Sequence, residues 1–235
     1  MSSDTGSHRF FCPQLAESGS VELAEAEAHH AIHVLRAKPG DVVELFDGAG
    51  LAASCRITTI RKRDLELEVI ESRRDAHRQI DVTIASAVPK GDRFDWLVEK
   101  ATELGVSRLI PLVTARSVVD PRISKLEKQR QTVIAACKQS GRNHLMQISP
   151  VTKWADFLSE IDSKQRVFVA HPGDHTTETF SSEGPPMTLA IGPEGGFTDV
   201  EVNAAIAAGA RAMSLGRYIL RIETAAVAFA ARVLM

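Results

Sequence analysis

Cysteine is scarce in this chain, and long apolar runs and a strong net charge are missing altogether. The 235 residues include three cysteines, Cys12, Cys55 and Cys137, which lie far apart and in no metal-type pairing. An odd number of widely spaced cysteines favours neither a disulfide framework nor a zinc cluster. We therefore expect a reducing environment such as the cytosol.

No apolar run approaches the roughly 20 residues that a membrane-spanning helix needs. The first residues, Met1 to Phe11, are polar and lack the basic-then-apolar order of a secretory signal. We expect a soluble, cytoplasmic protein without a membrane partner.

The formal net charge is only -2, so the chain as a whole gives no basic signal for a nucleic-acid partner. The charge is, however, unevenly distributed. Residues 1–75 carry 9 basic and 13 acidic side chains, residues 76–160 carry 13 and 9, and residues 161–235 carry 6 and 8. Only the middle third is basic.

The hydrophobic pattern changes near residue 75 and predicts two domains. Residues 1–75 contain short runs of alternating apolar and polar residues, and Asp47-Gly48 forms a turn between two of them, which is typical of β-hairpins. With one short helix near 25–37, this part is predicted to be a small barrel or curled sheet. The stretch 71–78 has no apolar periodicity and is predicted to be a linker.

Residues 76–235 alternate strands with helices, which predicts an α/β domain with a mostly parallel sheet covered on both faces. The predicted strands span 81–88, 109–113, 147–151, 167–170, 188–191 and 212–215. The predicted helices run from Asp92 as cap to Gly105, then over 124–139, 154–161 and 199–208, and from about 223 onward.

A glycine-rich loop, residues 192–196, follows a predicted buried strand and precedes a helix with a Thr198-x-x-Glu201 capping box. In open α/β sheets ligands bind beyond the carboxyl ends of strands, where glycine lets the backbone approach them closely. The glycine spacing fits neither the dinucleotide fingerprint nor the phosphate-binding loop. By itself, the loop is equally compatible with a tight turn that merely links strand to helix.

Two further strand ends carry loops of small and polar residues, at 171–173 and 214–224. Together the three loops are predicted to form one pocket. Arg221 and Glu223 lie beside apolar residues where a plain turn would not require them; the alternative is that they form a structural ion pair.

Three segments are the most specific in the chain: Gly192-Pro-Glu-Gly-Gly-Phe197, Leu215-Gly-x-x-Ile-Leu-Arg-x-Glu-Thr-Ala225 and Gln139-Ser-Gly-Arg-Asn143. They resemble motifs of the SPOUT methyltransferases, and most closely those of the family that makes 3-methyluridine in small-subunit (16S) ribosomal RNA. Arg9-Phe-Phe11, His33-Val-Leu-Arg36, Phe46-Asp-Gly48, Lys90-Gly-Asp92 and Glu99 to Val106 extend the resemblance over nearly the whole chain.

The resemblance implies a PUA-like RNA-binding β-barrel over residues 1–75 and a SPOUT domain over residues 76–235. In that family the second domain contains a trefoil knot, a rare exception to the rule that chains do not thread loops. It also implies a homodimer that binds S-adenosylmethionine as methyl donor and ribosomal RNA of the small subunit as acceptor. No metal is required, because the methyl group on a sulfonium is already activated.

The resemblance also implies site residues. The donor would be bound by three groups of residues: Leu189, Ile191, Gly192, Pro193, Gly195 and Gly196; Leu215, Gly216, Ile219, Leu220 and Thr224; and His171 and Pro172 at the rim. Because uridine N3 carries a proton, something must stabilise the developing anion and accept that proton. We predict Arg221 for the first role, and Glu194 or Glu223 for the second.

Arg9, Arg36, Arg142 and Asn143 are predicted to contact RNA. For Arg142 and Asn143 the alternative is a simple cap at a helix end with solvated charges. His29 and His33 have the i, i+4 spacing of a zinc-binding pair, but no general-base Glu or third ligand accompanies them, so we predict no metal site.

Two other functions compete with this hypothesis. A related knotted methyltransferase that acts on transfer RNA or on a ribose hydroxyl would share the donor pocket. A non-catalytic RNA-binding or ribosome-assembly protein would keep the fold, but would not need Glu194, Arg221 and Glu223.

Overall fold

The computed structural model describes residues 8–76, 80–118, 124–173 and 184–235, without the side chains of 124–127. It divides into two compact units. The first comprises the described residues up to 76 together with Cys137–Leu145, and the second comprises the remainder. A single boundary at residue 75 places the segment Cys137–Leu145 in the second domain, whereas the structure places this segment in the first unit.

The first unit contains a five-stranded sheet in the order β1-β3-β4-β5-β2, in which only the β1–β3 pair is parallel. Its elements are β1 (Arg9–Phe11), β2 (Ser20–Ala24), α1 (Glu25–His29), a π-helical turn (His30–Val34), β3 (Val42–Phe46), β4 (Leu51–Ile60) and β5 (Asp64–Arg74). In β2 every second residue is buried, because one face of the sheet covers the core. That core includes Phe10, Leu45, Ile57 and Leu67.

The predicted turn at Asp47-Gly48 is present between β3 and β4. The carboxylate of Asp47 accepts hydrogen bonds from the backbone N–H groups of Ala49 (2.6 Å) and Leu51 (3.0 Å), which closes the turn. The turn also packs against the segment 137–145. A Cβ atom at Gly48 would lie 2.8 Å from the side chain of Leu145, so this close approach requires glycine.

The predicted linker over 71–78 was wrong for residues 71–74, which form the end of β5 and pair with β4 as far as Leu51. His77 and Arg78 lie outside the described residues. The strand lacks an apolar pattern here because its side chains are solvent-exposed and form ion pairs. Arg73 bonds to Glu44 at 2.9 Å, and Arg74 to Glu17 at 3.0 Å.

The second unit is the predicted α/β domain, built on a parallel sheet in the order β12-β10-β11-β6-β7-β8, with β9 also paired to β7. Its strands are β6 (Val82–Ala87), β7 (Arg108–Val113), β8 (Gln147–Ile148), β9 (Thr152–Lys153), β10 (Arg166–Ala170), β11 (Met187–Ile191) and β12 (Arg211–Met213). Its helices are α2 (Arg93–Leu104), α3 (Ser124–Ser140), α4 (Trp154–Ser159), α5 (Asp199–Ala207) and α6 (Ile222–Leu234). The last residues of α3 belong to the first unit.

Helices cover both faces of this sheet. The helices α4 and α5 pack on one face, where Trp154 and Phe157 contact a cluster of strand residues. On the other face α6 packs against α2, β6 and β11, and Phe168 of β10 lies 6.4 Å from Phe229 between ring centroids. All five residues of β11 are buried, as a central strand covered on both sides requires.

Two local predictions needed correction. Asp92 precedes α2, but its side chain makes no capping hydrogen bond, whereas Gly105 ends the helix in the left-handed conformation as predicted. The single strand predicted over 147–151 is split into β8 and β9, because Pro150 between them has no N–H to donate to a strand.

The three cysteines are buried and unpaired, and all belong to the first unit. Burial raises the pKa of the Cys55 and Cys137 thiols to about 11, from an ordinary value of 9.0. Within the described ranges, no helix combines the length and the apolar character needed to cross a membrane.

The raised thiol pKa values predict how stability changes at alkaline pH. The native state keeps these protons to a higher pH than the unfolded chain does, so their contribution to stability is complete below about pH 8.5 and is lost as the pH rises towards about 11. We expect the free energy of unfolding, measured in urea, to fall across this window. The free energy of unfolding should fall less in a chain that carries both Cys55→Ala and Cys137→Ala. An equal fall would mean that other groups cause it.

Candidate active site at the carboxyl edge of the parallel sheet

Three loops follow three strands that are neighbours in the sheet. The strands β12, β10 and β11 are adjacent and parallel, so the loops after them emerge at the same edge. These are the loops at 214–221, 171–173 and 192–198, which the sequence singled out. This edge is where open parallel sheets bind their ligands.

The loop after β11, residues 192–198, turns tightly on itself. The backbone N–H of Gly196 donates to the carbonyl of Pro193 at 2.7 Å, and Gly196 has a φ of 69°. A Cβ atom at Gly192 would lie 2.9 Å from the backbone nitrogen of Phe197, so the turn itself excludes a side chain there. At Gly196, by contrast, no atom lies within 4 Å of such a Cβ position. Glycine at 196 therefore leaves open space beside the backbone.

The predicted capping box begins helix α5. Thr198 Oγ1 accepts from the N–H of Glu201, and Glu201 Oε2 accepts from the N–H of Thr198 at 2.8 Å. The other carboxylate oxygen, Oε1, accepts from the N–H of Ala115 at 2.7 Å, in the loop after β7. The buried Glu201 therefore fixes two loops at once, and the sequence predicted the capping box but not the bond to Ala115.

Arg116 makes a second bond between the same two loops. Its Nη1 donates to the carbonyl of Gly195 at 2.6 Å, and its side chain would lie 3.3 Å from a Cβ atom at Gly195. Because β6 lies between β7 and β11, the loop after β7 crosses the end of β6 to make this contact. Arg116 could not be predicted from the sequence, because nothing in its local pattern indicates a partner 79 residues away.

Arg93, the first residue of α2, lies between the two carboxylates that we predicted as proton acceptors. Its Nη2 donates to Glu194 Oε1 at 2.9 Å, and its Nη1 lies 3.8 Å from Glu223 Oε1. Arg93 was not predicted as a site residue either, although Arg93 follows directly on the segment Lys90 to Asp92. The alternative, a structural ion pair between Arg221 and Glu223, is not found among the described residues, where Glu223 is paired with Arg93 instead.

The two carboxylates differ in environment. The side chain of Glu194 is 43% exposed, whereas that of Glu223 is 8% exposed. Within the part of the chain that the structure describes, Glu223 Oε2 is buried and has no hydrogen-bond partner. A buried carboxylate oxygen without a donor is costly, so this atom is suited to accept a hydrogen bond or a proton from a ligand.

The loop over 214–221 places its large side chains in solvent. Ile219 is 89% exposed, and the guanidinium of Arg217 stacks 4.7 Å from the ring centroid of Tyr218. Leu215 and Leu220 are half-buried, Gly216 and Thr224 are exposed, and no atom lies within 4 Å of a Cβ position at Gly216. The loop therefore offers apolar surface and accessible backbone to a small molecule.

Arg221 is the residue before α6, and its exposed side chain does not cap the helix. Among the described residues its side chain makes no hydrogen bond or ion pair, so its guanidinium is available to a ligand. His171 is half-buried and its N–H donates to the carbonyl of Met213 at 3.0 Å, which ties the loop after β10 to the end of β12. Pro172 is exposed beside it.

In the first unit, Arg9 and Asn143 bind each other. Arg9 Nη2 donates to Asn143 Oδ1, Nη1 donates to the carbonyl of Cys137 at 2.9 Å, and the guanidinium stacks 4.7 Å from the ring centroid of Phe46. Arg9 also pairs with Glu44 at 3.2 Å and is 9% exposed at its side chain. Burial lowers the pKa of Arg9 from its ordinary value. Their direct contact with RNA stays a prediction; the geometry favours a structural role.

The other two residues predicted to contact RNA are more accessible. Arg36 is exposed and has a φ of 54°, which is uncommon for a residue with a side chain. Arg142 is half-buried and lies in the segment 137–145. His29 and His33 have ring centroids 4.6 Å apart, and across the described ranges no three His, Cys, Asp or Glu residues are grouped as metal ligands.

Comparisons with known proteins agree with this geometry. Residues 76–234 match the family model described as RNA methyltransferase domain, and residues 23–70 match RNA methyltransferase PUA domain. The ribosomal RNA small subunit methyltransferase E of Bacillus subtilis (strain 168) is 31% identical over 226 residues, which cover 90% of this chain and 88% of that protein.

Solved structures with bound S-adenosyl methionine are also similar. The ribosomal RNA small subunit methyltransferase E of Neisseria gonorrhoeae is 31% identical, with a TM-score of 0.87 over 96% of this chain and 95% of that one. A methyltransferase structure from Legionella pneumophila, in complex with the same cofactor, is 27% identical, with a TM-score of 0.85 over 96% of both chains.

Proposed function

This chain belongs to the ribosomal RNA small subunit methyltransferase E family, and from that premise we propose that it methylates N3 of one uridine in small-subunit ribosomal RNA. It is an S-adenosylmethionine-dependent ribosomal RNA methyltransferase. The single observation that supports an acceptor that loses a proton is the buried, unbonded Oε2 of Glu223 beside the donor loops. The choice of uridine N3 over a ribose hydroxyl, which also loses a proton, rests on the resemblance.

The residues at the carboxyl edge of the sheet fit S-adenosylmethionine. Gly196 and Gly216 leave open space beside the backbone, Ile219 and Leu220 offer apolar surface, and Glu223 has an unbonded oxygen. The main-chain groups of Leu189, Ile191, Gly192, Pro193, Gly195, Gly196, Leu215, Gly216, Ile219, Leu220 and Thr224, with His171 and Pro172 at the rim, would hold the donor. When bound, it supplies a methyl group already activated by a sulfonium, so the chain needs no metal for this step.

The protein's own task is to orient the uracil and manage one proton. The guanidinium of Arg221 would lie beside a uracil oxygen and stabilise the negative charge that develops as N3 is deprotonated. Glu223 or Glu194 would accept that proton. The bonds made by Glu201 and Arg116 hold the donor loop rigid, which favours a single orientation of the reacting groups.

The trefoil knot and the homodimer are also proposals. The loop after β7 crosses the end of β6 and binds the loop after β11, and this crossing supports the trefoil knot that the resemblance implies. The homodimer rests on the resemblance. The buried alanines of α6, among them Ala225, Ala226 and Ala230, pack within their own unit and add no support for it. We also propose a cytoplasmic location, on the ground that the substrate is ribosomal RNA.

Two candidate functions differ in the product that they leave on the RNA. Ribosomal RNA from cells that lack this protein, digested with nuclease and analysed by mass spectrometry, should lack one 3-methyluridine, and the wild-type gene should restore it. Loss of a methyl group on a ribose would contradict N3 chemistry while leaving the methyltransferase assignment intact. An unchanged set of modified nucleosides would favour a non-catalytic role.

Replacing Gly192 by alanine tests the donor loop. The new Cβ atom would lie 2.9 Å from the backbone of Phe197, so the turn must open. We expect calorimetric titration to show S-adenosylmethionine affinity reduced about 5- to 150-fold, since strain of this kind costs about 1–3 kcal/mol. Gly209→Ala is the control, because its φ of 100° strains the backbone before β12 without touching this loop. Equal losses in both variants would contradict a donor site here.

A further inference from the structure

Arg93 connects the two segments that carry the candidate proton acceptors. Its Nε donates to the carbonyl of Lys90 at 3.1 Å, which fixes the side chain against its own loop. One Nη then binds Glu194 in the loop after β11, and the other lies near Glu223 on α6. The planar guanidinium presents several donors in a fixed geometry, so a single side chain can bind Glu194 and still place its positive charge beside Glu223.

The two contacts are unequal. The 2.9 Å contact to Glu194 is a charge-assisted hydrogen bond, whereas the 3.8 Å contact to Glu223 is an ion pair beyond hydrogen-bonding distance. Glu223 therefore remains next to a positive charge without a hydrogen bond from it. Its Oε2 is buried and unbonded among the described residues, while the hydrogen-bonded Glu194 is partly exposed.

We propose that Arg93 is a positioning residue that stabilises the carboxylate of Glu223 as the proton acceptor, with Glu194 holding Arg93 in place. The Nη1 of Arg93 lies 3.8 Å from Glu223 Oε1, while the other oxygen, Oε2, is buried without a donor among the described residues. In the reaction the N3–H bond breaks and the proton passes to Glu223 Oε2. The electron pair left on N3 forms the new bond to the methyl carbon, the carbon–sulfur pair stays on sulfur, and Glu223 then releases the proton to water. This inference rests on the proposed function.

The test compares kinetics and stability in the full chain. We expect Arg93→Met to lower kcat about 30- to 100-fold with KM for S-adenosylmethionine changed less than about threefold, as for a group that acts on proton transfer. Arg93→Lys keeps the positive charge but not the planar guanidinium with its several donors, so this variant should retain a kcat between those of Arg93→Met and wild type. Lys100→Met, on the same helix and also bonded to two glutamates, should leave both constants unchanged.

Stability in urea provides a second readout that does not depend on methyl transfer. Without Arg93, Glu223 is a buried and unpaired carboxylate, so the urea midpoint of Arg93→Met should fall. Adding Glu223→Gln should bring the midpoint back towards wild type, because an amide carries no charge to bury. The proposal is overturned if Arg93→Met keeps full kcat, if it raises only KM, or if Glu223→Gln gives no recovery of stability. Should the wild-type protein itself transfer no methyl group to uridine N3, the proposed function fails instead.

Discussion

Arg221→Ala is expected to lower kcat for methylation of small-subunit ribosomal RNA about 100- to 1000-fold, the range typical of losing one group that stabilises a developing anion. The free energy of unfolding should change by less than about 0.5 kcal/mol, because the side chain is exposed and, among the described residues, makes no hydrogen bond or ion pair. Both quantities can be measured on the same preparation, the first with tritiated donor and the second in urea.

Arg217→Ala is the matched control for this variant. Arg217 lies in the same loop and is exposed like Arg221, but its guanidinium stacks on Tyr218 and no role in the reaction is assigned to it. We expect its kcat to stay within about threefold of wild type, as for surface substitutions away from the reacting groups. If Arg221→Ala also retained full activity, the result would support the non-catalytic alternative and would contradict the role of Arg221 in stabilising the developing anion.

Local chemistry explains which features of this site the sequence could predict. The capping box of Thr198 and Glu201 is a contact over three residues, and the turn at Gly192 to Gly196 depends on its own backbone. The order of strands and helices could be predicted for the same reason, since each element carries its own periodicity. These features are independent of the rest of the chain.

The contacts that the sequence could not predict join distant parts of the chain. Arg93 reaches Glu194 across 101 residues, and Arg9 reaches Asn143 across 134. No spacing rule connects such pairs, because only the folded chain brings them together. The wrong linker has a different cause: the charged end of β5 satisfies its arginines at the surface and therefore shows no apolar alternation.

The packing of Cys137–Leu145 with the first unit follows from the same kind of long-range contact. Gly50 donates to the carbonyl of Asn143 at 3.1 Å, and Asn143 donates to Asp75 at 3.0 Å. Asn143 was predicted to contact RNA because it follows a helix end in the basic third of the chain. With a side chain that is buried and bonded on both sides, it stabilises the unit that the resemblance associates with RNA binding.

Arg9→Met is expected to destabilise the protein by about 2–4 kcal/mol in urea unfolding, because two buried acceptors lose their donor at a cost of about 1–3 kcal/mol each. Methionine keeps the apolar stem against Phe46 but leaves Asn143 Oδ1 and the carbonyl of Cys137 without their donor. The size of the effect reflects the low exposure of the Arg9 side chain, 9%, because a buried acceptor that loses its donor cannot turn to water.

Arg73→Met provides the comparison, because Arg73 pairs with the same Glu44 but is 58% exposed at its side chain. An exposed ion pair contributes about 0–1 kcal/mol, so Arg73→Met should lower the free energy of unfolding several-fold less than Arg9→Met does.

The pair of variants also separates two roles of Arg9. A direct RNA contact predicts weaker RNA binding at unchanged stability, whereas the structural role predicts that stability falls first and that RNA binding falls only with it.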